Sequence, residues 1–428
     1  MLKESQNRMF QEVGPGTPMG NLMRHYWHPV AAVAELDSNP TKPIRLMGEN
    51  LVLYKDLSGG YGLVDRHCPH RRADMSYGFV EKCGLRCNYH GWLFDEKGAC
   101  IEQPFEEMID PDGNFKGKVN IKAYPVEAKA GMLWAYMGSE PAPLIPNWEP
   151  FTWKNGFSQV VFSDIPCNWF QCQENSIDPV HFEWMHANWS TRLGNAEGPY
   201  APTHQKIKFE EFEHGFIYKR VREDTDEENP LWTVGRVCLW PNALFTGGHF
   251  EWRVPVDDEN TLSVSWFFSR VPHDREPFVQ ERIPYWTSPI KDPETGRWIS
   301  SHIINQDIIA WVGQGVQADR TQEHLGRSDE GIIMIRKRYV DDMKRIDNGE
   351  EPKGIYRDKK ANGCIDLPII GKEQFINGHT REEIDNFPRD YNPSTPNRFL
   401  FHAGQPEEVR KQYEAATGVK MMDKGIVE

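Results

Sequence analysis

Short apolar runs separated by turn-forming residues dominate the first third of the chain. Between about residues 43 and 136, runs at 51–54, 62–64 and 132–136 alternate with Gly, Asp and Ser. Short strands at close spacing, with turn signals between them, are typical of a small all-β unit. We therefore predict an all-β domain here, preceded by a turn-rich entry at residues 13–20.

Longer strand-like runs follow, and after them the period of the pattern changes. The predicted strands lie near residues 157–162, 215–221, 232–239 and 261–268. Between Ile332 and Ile346, apolar residues recur at steps of three and four, which predicts an amphipathic helix. Strands followed by helices predict an α+β architecture.

A proline-rich segment separates the two regions. Residues 138–150 contain four prolines, and proline can continue neither a helix nor the interior of a sheet. We take this segment as a linker, so that residues 1–150 form the first domain and residues 151–428 form the second.

Composition and charge exclude several classes of protein. The 428 residues include 51 aromatic side chains (15 Trp, 14 Tyr and 22 Phe), too many for a largely disordered chain. The net charge of −14 argues against a general nucleic-acid binder, which would show a basic surface. No apolar run approaches the roughly 18 residues of a membrane span, and the polar first residues lack a signal-peptide core. We expect a cytoplasmic protein that does not contact a membrane.

Two Cys–His pairs form the first candidate site. Cys68 and His70 are two residues apart, Cys87 and His90 are three apart, and 16 residues separate the pairs. Two thiolates and two imidazoles fit either a tetrahedral zinc ion or a [2Fe–2S] cluster with mixed ligands. Zinc sites normally use a wider loop on at least one side, so the two short loops favour the cluster. We expect the other six cysteines not to be ligands: Cys83, Cys100, Cys167, Cys172, Cys238 and Cys364.

The residues around both pairs resemble Rieske domains. The first loop reads Cys-Pro-His-Arg at 68–71, and the second reads His-Gly-Trp at 90–92, with Phe94, Asp95 and Gly98 behind it. Rieske proteins of respiratory complexes carry an extra cysteine in each loop, whereas this chain has other residues there, as in the subclass found in oxygenases. The resemblance implies that one iron takes both thiolates and the other takes both imidazoles.

A second candidate site lies at residues 174–189. His181 and His186 are five apart, which is about 500° of rotation on a regular helix. They share a face only if the helix is wound differently or broken between them. We expect Asp178 to cap this helix and Pro179 to open it. Taken alone, the segment could equally be a capped amphipathic helix with two incidental histidines.

Together the two motifs resemble the Rieske non-haem iron oxygenases, the α subunits of aromatic ring-hydroxylating enzymes. The Rieske loops, the linker and the Asp-x2-His-x4-His motif follow in that family's order, over nearly the whole chain. The resemblance implies a helix-grip fold, an antiparallel sheet with helices, for the second domain. It also implies that His181 and His186 bind Fe(II) with a downstream carboxylate, which completes a facial triad. Asp307 matches that position, with Asp319 and Glu323 as the alternatives.

The same resemblance assigns a bridge between the metals. In the family, the carboxylate at the place of Asp178 joins an iron histidine to a cluster histidine of a neighbouring subunit, here His181 and His90. The cluster and the iron of one chain are too far apart for direct electron transfer, so a homotrimer or a multiple of it is implied. Asn175 matches a polar position near the iron.

The family's activity follows as an expectation. The chain would be a terminal oxygenase that uses O2 and electrons drawn from NAD(P)H through a separate flavin and iron–sulfur reductase or a ferredoxin. Residues 13–20 and 305–315 resemble the phthalate-dioxygenase-like and aryl O-demethylase branch, which acts on aromatic carboxylates. We expect O-demethylation or hydroxylation of an aromatic, anionic substrate, ahead of cis-dihydroxylation.

The sequence identifies neither the cation that binds the substrate nor a single class of function. An anionic substrate needs a cation, and the candidates, none of them assigned, are Arg192, Arg220, Arg236 and Arg253. The alternative from another class is a Rieske electron-transfer protein without oxygenase activity. Such a carrier would have no use for the second iron motif.

Overall fold

Four β-sheets and a set of mostly short helices make up the chain in the computed structural model, which describes residues 2–193, 200–385 and 401–421. The strands of the first part are β1 (Trp27–Ala32), β2 (Thr41–Leu46), β3 (Glu49–Lys55), β4 (Tyr61–Asp65), β5 (Phe79–Val80), β6 (Leu85–Arg86), β7 (Leu93–Phe94), β8 (Cys100–Glu102), β9 (Ala123–Tyr124), β10 (Val126–Lys129) and β11 (Met132–Tyr136). Those of the second part are β12 (Gly156–Ile165), β13 (His204–Phe212), β14 (Gly215–Arg222), β15 (Arg236–Leu239), β16 (Ala243–Phe245), β17 (His249–Pro255), β18 (Thr261–Arg270) and β19 (Tyr285–Thr287). The α-helices are α1 (Glu4–Gln11), α2 (Pro18–Met23), α3 (Glu35–Ser38), α4 (Glu106–Ile109), α5 (Trp169–Asn175), α6 (Asn188–Leu193), α7 (Pro230–Thr233), α8 (Ile303–Gly313), α9 (Glu330–Asp347), α10 (Lys372–Asn377), α11 (Arg381–Asp385) and α12 (Glu407–Thr417).

The first part of the chain is built mainly from β-strands, as the apolar pattern predicts. Its sheets have the strand orders β1-β11-β10, β2-β3-β4-β9 and β5-β6-β7-β8. Alternate residues of β3 point to opposite faces, so Val52 packs into a small core with Cys68 and Cys87, while Leu51 and Leu53 pack into the main core. The candidate cluster loops therefore lie on one face of this sheet.

An eight-stranded sheet forms the centre of the second part, in the order β13-β14-β15-β16-β17-β18-β12-β19. All its pairs are antiparallel except β12 with β19. The strands predicted near residues 157–162, 215–221 and 261–268 are confirmed as β12, β14 and β18. The strand predicted at 232–239 is half wrong, because Asn229 caps the short helix α7 and the strand begins only at Arg236.

The two faces of this sheet differ in polarity over its three central strands. On β12, β17 and β18, one face carries apolar side chains that pack into the main core: Val160, Phe162, Phe250, Trp252, Val254, Val264, Trp266 and Phe268. The other face carries buried polar side chains: Gln159, Ser163, His249, Glu251, Arg253, Ser263 and Ser265. Helix α8 lies over the polar face, since the Arg253 guanidinium stacks 4.5 Å from the Trp311 ring.

The predicted helix near residues 332–346 is confirmed as α9. With the large sheet and α8, it gives the α+β architecture expected from the sequence. Residues 138–148 form no strand or helix, in keeping with a linker, but the main core continues across it. The Trp134 and Trp252 rings, one from each side, lie 5.1 Å apart. The domain boundary at residue 150 stays a prediction. Within the described ranges, no helix combines the length and the apolar character needed to cross a membrane.

Candidate metal centres

Two tight loops hold the four residues of the first candidate site. The Cys68 N–H donates to the Ala73 carbonyl at 2.9 Å, and the Cys87 N–H donates to the Trp92 carbonyl at 2.8 Å. Gly91, with φ of +78°, allows the second loop to turn back so that its N–H reaches the Cys87 carbonyl at 3.0 Å. Both loops are thereby closed by backbone hydrogen bonds.

The four side chains converge at the tips of these loops. The Cys68 and Cys87 side chains are buried, and the ring centroids of His70 and His90 are 4.4 Å apart. The Trp92 ring stacks on His70 at 4.3 Å. His70 Nδ1 is buried and has no hydrogen-bond partner, whereas His90 is exposed. A buried nitrogen without a partner is the condition expected of a ligand atom.

The electrostatics of the thiols also suit ligation. A hydrogen bond from the Cys68 thiol, and backbone hydrogen bonds from Tyr89 and His90, lower the pKa of Cys87 to about 6. Hydrogen bonding to Cys87 and burial raise the pKa of Cys68. One thiol is therefore held close to the thiolate form, which is the form that binds metal.

The second site begins with a change of helix type. Helix α5 ends at Asn175, the chain turns, and a π-helix spans Phe182–Ala187 before α6. The predicted start at Pro179 is wrong, because His181 is the N-cap residue and Asp178 Oδ1 instead accepts the Val180 N–H at 2.8 Å. A π-helix bonds residues five apart, so its winding brings His181 and His186 onto one face. Two histidines five residues apart can therefore face the same point, which a regular α-helix would not allow.

Asp307 of α8 faces both histidines. Its Oδ1 lies 3.6 Å from Nε2 of His181 and 3.4 Å from Nε2 of His186, and no described residue forms a hydrogen bond with it. The donor atoms of the three residues all lie within 4.8 Å of one another. Two imidazoles and one carboxylate around a common point fit the facial triad of mononuclear iron enzymes. In the described part of the chain, no other group of His, Cys, Asp or Glu is compact enough for a single ion.

Asp307 and His186 shift each other's pKa values. Burial opposes the ionisation of Asp307, but the imidazoles of His186 and His181 lower its pKa. Burial likewise opposes the protonation of His186, while Asp307 raises its pKa. The carboxylate therefore stays ionised although it is buried, as a metal ligand must.

Gln306 orients one of the two histidines, a role that the sequence did not reveal. Its Oε1 lies 2.9 Å from His186 Nδ1, and its Nε2 donates to the Ser300 carbonyl at 2.9 Å. The amide oxygen thus accepts a hydrogen bond from the Nδ1–H group and leaves Nε2 of His186 free for the metal. Asp178 Oδ2 lies 3.4 Å from His181 Nδ1 and can orient the other histidine.

Replacing Gln306 with leucine should lower the affinity for the mononuclear iron about 10- to 100-fold, because the partner that sets the His186 tautomer is lost. A chelator would first remove the mononuclear iron, and titration of iron back into the protein would then measure the affinity. The Rieske absorbance should stay unchanged. Gln314→Leu, at the exposed end of α8, is the matched control and should leave the affinity as it is. Equal iron affinities for the two variants would contradict the role of Gln306.

The alternatives for the third ligand are engaged elsewhere. Glu323 Oε2 accepts from Arg336 at 2.9 Å, and exposed Asp319 accepts from the hydroxyl of Thr321 at 2.6 Å. Asn175 is half-buried at the end of α5, and its carbonyl accepts the Asp178 N–H at 3.1 Å.

The four candidate arginines have different surroundings. Arg253 is paired with Glu251, and the exposed Arg192 guanidinium lies 5.0 Å from the Tyr200 ring. The guanidinium groups of Arg220 and Arg236 lie 4.8 and 4.3 Å from the ring of Phe182, which follows His181.

Comparison with known proteins places these sites in context. Residues 26–125 match the model of the Rieske [2Fe-2S] domain, and residues 290–370 match a "LigXa C-terminal domain like" model. The chain is 59% identical, over the full length of both, to the 5,5'-dehydrodivanillate O-demethylase oxygenase subunit of Sphingobium sp.. It is 39% identical, over 78% of this chain and 80% of the relative, to the 3-chlorobenzoate-3,4-dioxygenase oxygenase subunit of Comamonas testosteroni. The fold is similar to that of the QL mutant of Pseudomonas putida CBB5 NdmA with caffeine (TM-score 0.54, 21% identity, 77% of this chain and 93% of that chain).

Proposed function

Since the chain belongs to the Rieske non-haem iron oxygenase α subunits, we propose that it O-demethylates a methoxylated aromatic carboxylate. It is the oxygenase component of a multicomponent system, with a Rieske [2Fe–2S] cluster, a mononuclear iron and electrons supplied by a reductase. The observation that carries the proposal is the 59% identity, over all 428 residues, to an aryl O-demethylase oxygenase subunit.

The roles of the site residues are part of the proposal. Cys68, Cys87, His70 and His90 would hold the cluster, and His181, His186 and Asp307 would hold the iron. When bound, the iron would activate O2 and the cluster would deliver electrons one at a time. Asp178, Gln306 and Asn175 would orient or connect these ligands. The balanced reaction is Ar–O–CH3 + O2 + 2e⁻ + 2H⁺ → Ar–OH + HCHO + H2O.

A homotrimer, or a multiple of it, is the assembly we propose. His90 and its neighbour Tyr89 are exposed, although their side chains contact each other and the cluster loop. Large exposed apolar side chains occur in the same domain: Tyr77, Phe79, Phe105, Met108, Ile109 and Phe115. Beside the iron, Asp178 is partly exposed and Trp184 is half exposed. Contact of these surfaces between copies would bring His90 of one chain close to Asp178 of the next.

We propose an anionic substrate because positive charge collects near the iron ligands. Arg220 is nearly fully buried, and its pKa is lowered to about 10 by burial and by the charge of Arg236. Glu183 offsets part of this charge, with its carboxylate 3.4 Å from Arg220 and 3.2 Å from Arg222. Arg236 adds a further positive charge beside Phe182, where a carboxylate of the substrate could bind.

The partners, boundaries and location are proposals as well. A flavin and iron–sulfur reductase or a ferredoxin would reduce the cluster. Residues 1–150 would form the Rieske domain and residues 151–428 the catalytic domain. The cytoplasmic location expected from the sequence stays a prediction.

Product analysis tests the reaction. Purified protein, a Rieske-system reductase, NADH and O2 would be incubated with vanillate-type biaryl acids, simple methoxybenzoates and phthalate. We expect one formaldehyde and one new phenol for each O2 consumed, with the methoxylated acids alone. A cis-diol as the main product would mean that the protein dihydroxylates the ring and does not demethylate the substrate. Several relatives are named dioxygenases. Oxidation of the cluster without any product would favour a simple electron carrier.

A further inference from the structure

A row of buried polar side chains faces the helix that carries Asp307. His249, Glu251 and Arg253 alternate along β17 and therefore share one face of the sheet. All three are at most 5% exposed. Asp307 and Trp311 are four residues apart on α8 and share the facing side of that helix. The stacking of Arg253 on Trp311 joins the two elements, and the charge of Asp307 acts on both His249 and Glu251.

The two carboxylate oxygens of Glu251 differ in their hydrogen bonding. Oε1 is paired with Arg253 and accepts the Ser263 hydroxyl at 3.1 Å. Oε2 is buried and has no hydrogen-bond partner among the described residues, nor has Nε2 of His249, and the two atoms are 3.9 Å apart. Leaving two buried polar atoms unpaired costs free energy, so such atoms usually have a ligand or a function.

The surroundings fix the chemical character of this pair. Burial and the charge of Arg253 lower the pKa of His249 to about 3, so its imidazole is neutral. The ring stacks on Phe267 with centroids 4.4 Å apart, and the Phe401 ring lies 5.5 Å away. The pair therefore offers one carboxylate acceptor and one neutral imidazole nitrogen, 3.9 Å apart, beside flat aromatic rings.

We propose that His249 Nε2 and Glu251 Oε2 bind the free phenolic hydroxyl of the substrate. A phenol can donate to the carboxylate and accept from the imidazole, which satisfies both atoms. An ether oxygen can only accept, and a carboxylate at this point would be repelled by Glu251. The inference rests on the proposed function and adds to it a rule of selection: the ring held at the iron carries a hydroxyl group.

The test compares two matched acids in the wild-type enzyme and in variants. One acid is a 4-hydroxy-3-methoxybenzoate biaryl, and the other has hydrogen in place of each hydroxyl. We expect the wild-type kcat/KM for formaldehyde release to favour the hydroxylated acid by about a hundredfold or more, because the analogue leaves both buried atoms unpaired. In His249→Phe and Glu251→Gln, this ratio should fall at least about tenfold.

His28→Phe is the matched control, since His28 is equally buried but lies on β1, bonded to the Met23 carbonyl at 2.8 Å. Its selectivity ratio should equal that of the wild type. The Rieske absorbance and the melting temperature would show that each variant is folded. If both β17 variants unfold, the ratio measured in the wild type alone decides.

A second readout separates this inference from the proposed function. Calorimetric titration gives the Kd of each acid without turnover. Failure of the proposed function would appear as bound acid without formaldehyde, and the Kd ratio would then still decide the selection rule. Equal kcat/KM and equal Kd for the two acids in the wild type, or an unchanged ratio in folded variants, would overturn the inference.

Discussion

Replacing His181 or Asp307 with alanine is expected to abolish oxygen-dependent turnover while the red-brown cluster stays in place. Each of the two residues contributes one of the three donor groups that lie within 4.8 Å of one another, so its loss leaves too few ligands for the iron. Formaldehyde release and O2 consumption measure turnover, and metal analysis should fall from three irons for each chain to two.

Asp319→Asn is the control for Asp307, because Asp319 is the exposed alternative and bonds only to its own turn. It should retain both turnover and all three irons. Normal turnover in His181→Ala or Asp307→Ala would remove the mononuclear centre from the proposal. Loss of the third iron in Asp319→Asn would instead indicate that Asp319, and not Asp307, is the carboxylate ligand.

Asp178→Asn is expected to keep both metal centres but to slow the oxidation of the reduced cluster about 10- to 100-fold. The native carboxylate lies 3.4 Å from Nδ1 of His181, within the distance of an ion pair. An amide of the same size keeps the packing but loses the charge. Stopped-flow absorbance after mixing the reduced, substrate-bound protein with O2 would follow the cluster in a single turnover.

Glu183→Gln provides a comparison within the same segment. Glu183 lies on the π-helix but pairs with His204 at 3.0 Å, away from Asp178. If this variant folds, its iron content and its cluster oxidation rate should be closer to wild type than those of Asp178→Asn. Single-turnover rates in Asp178→Asn equal to those of the wild type would count against a bridging carboxylate.

Features that depend on local sequence could be predicted. The paired Cys–His spacing identified the Rieske domain, and the helical period between Ile332 and Ile346 identified α9. Both signals arise from neighbouring residues, whose chemistry or periodicity is visible without knowledge of the fold. The α+β class was predicted from the strand and helix patterns, and the enzyme family and its cofactors from the resemblance of the Rieske loops and the Asp-x2-His-x4-His motif. All three are confirmed by the comparisons. The site residues stay predictions, although the fold brings His181, His186 and Asp307 together.

Features that depend on distant contacts could not be predicted. The π-helix at 182–187 contacts α8 through His186 and Gln306, and the sheet through the rings of Phe182 and Tyr218. Neither contact is visible in the local sequence, and the capping signals that placed the helix start at Pro179 were wrong. Gln306 is adjacent to Asp307, but only the fold shows that it reaches His186. No strand was predicted where β17 lies, and nothing local reveals that both faces of this strand, with the row from His249 to Arg253, are buried.

The continuity of the main core has a consequence for engineering and for evolution. Trp134 and Trp252 belong to different units of the chain, yet their rings touch, and the strands on both sides of residues 138–150 pack into a single interior. A chimera that exchanged the Rieske unit for that of a distant homologue would place mismatched surfaces against β17 and leave voids or clashes there. A change on one side of this contact is therefore expected to require a matching change on the other side.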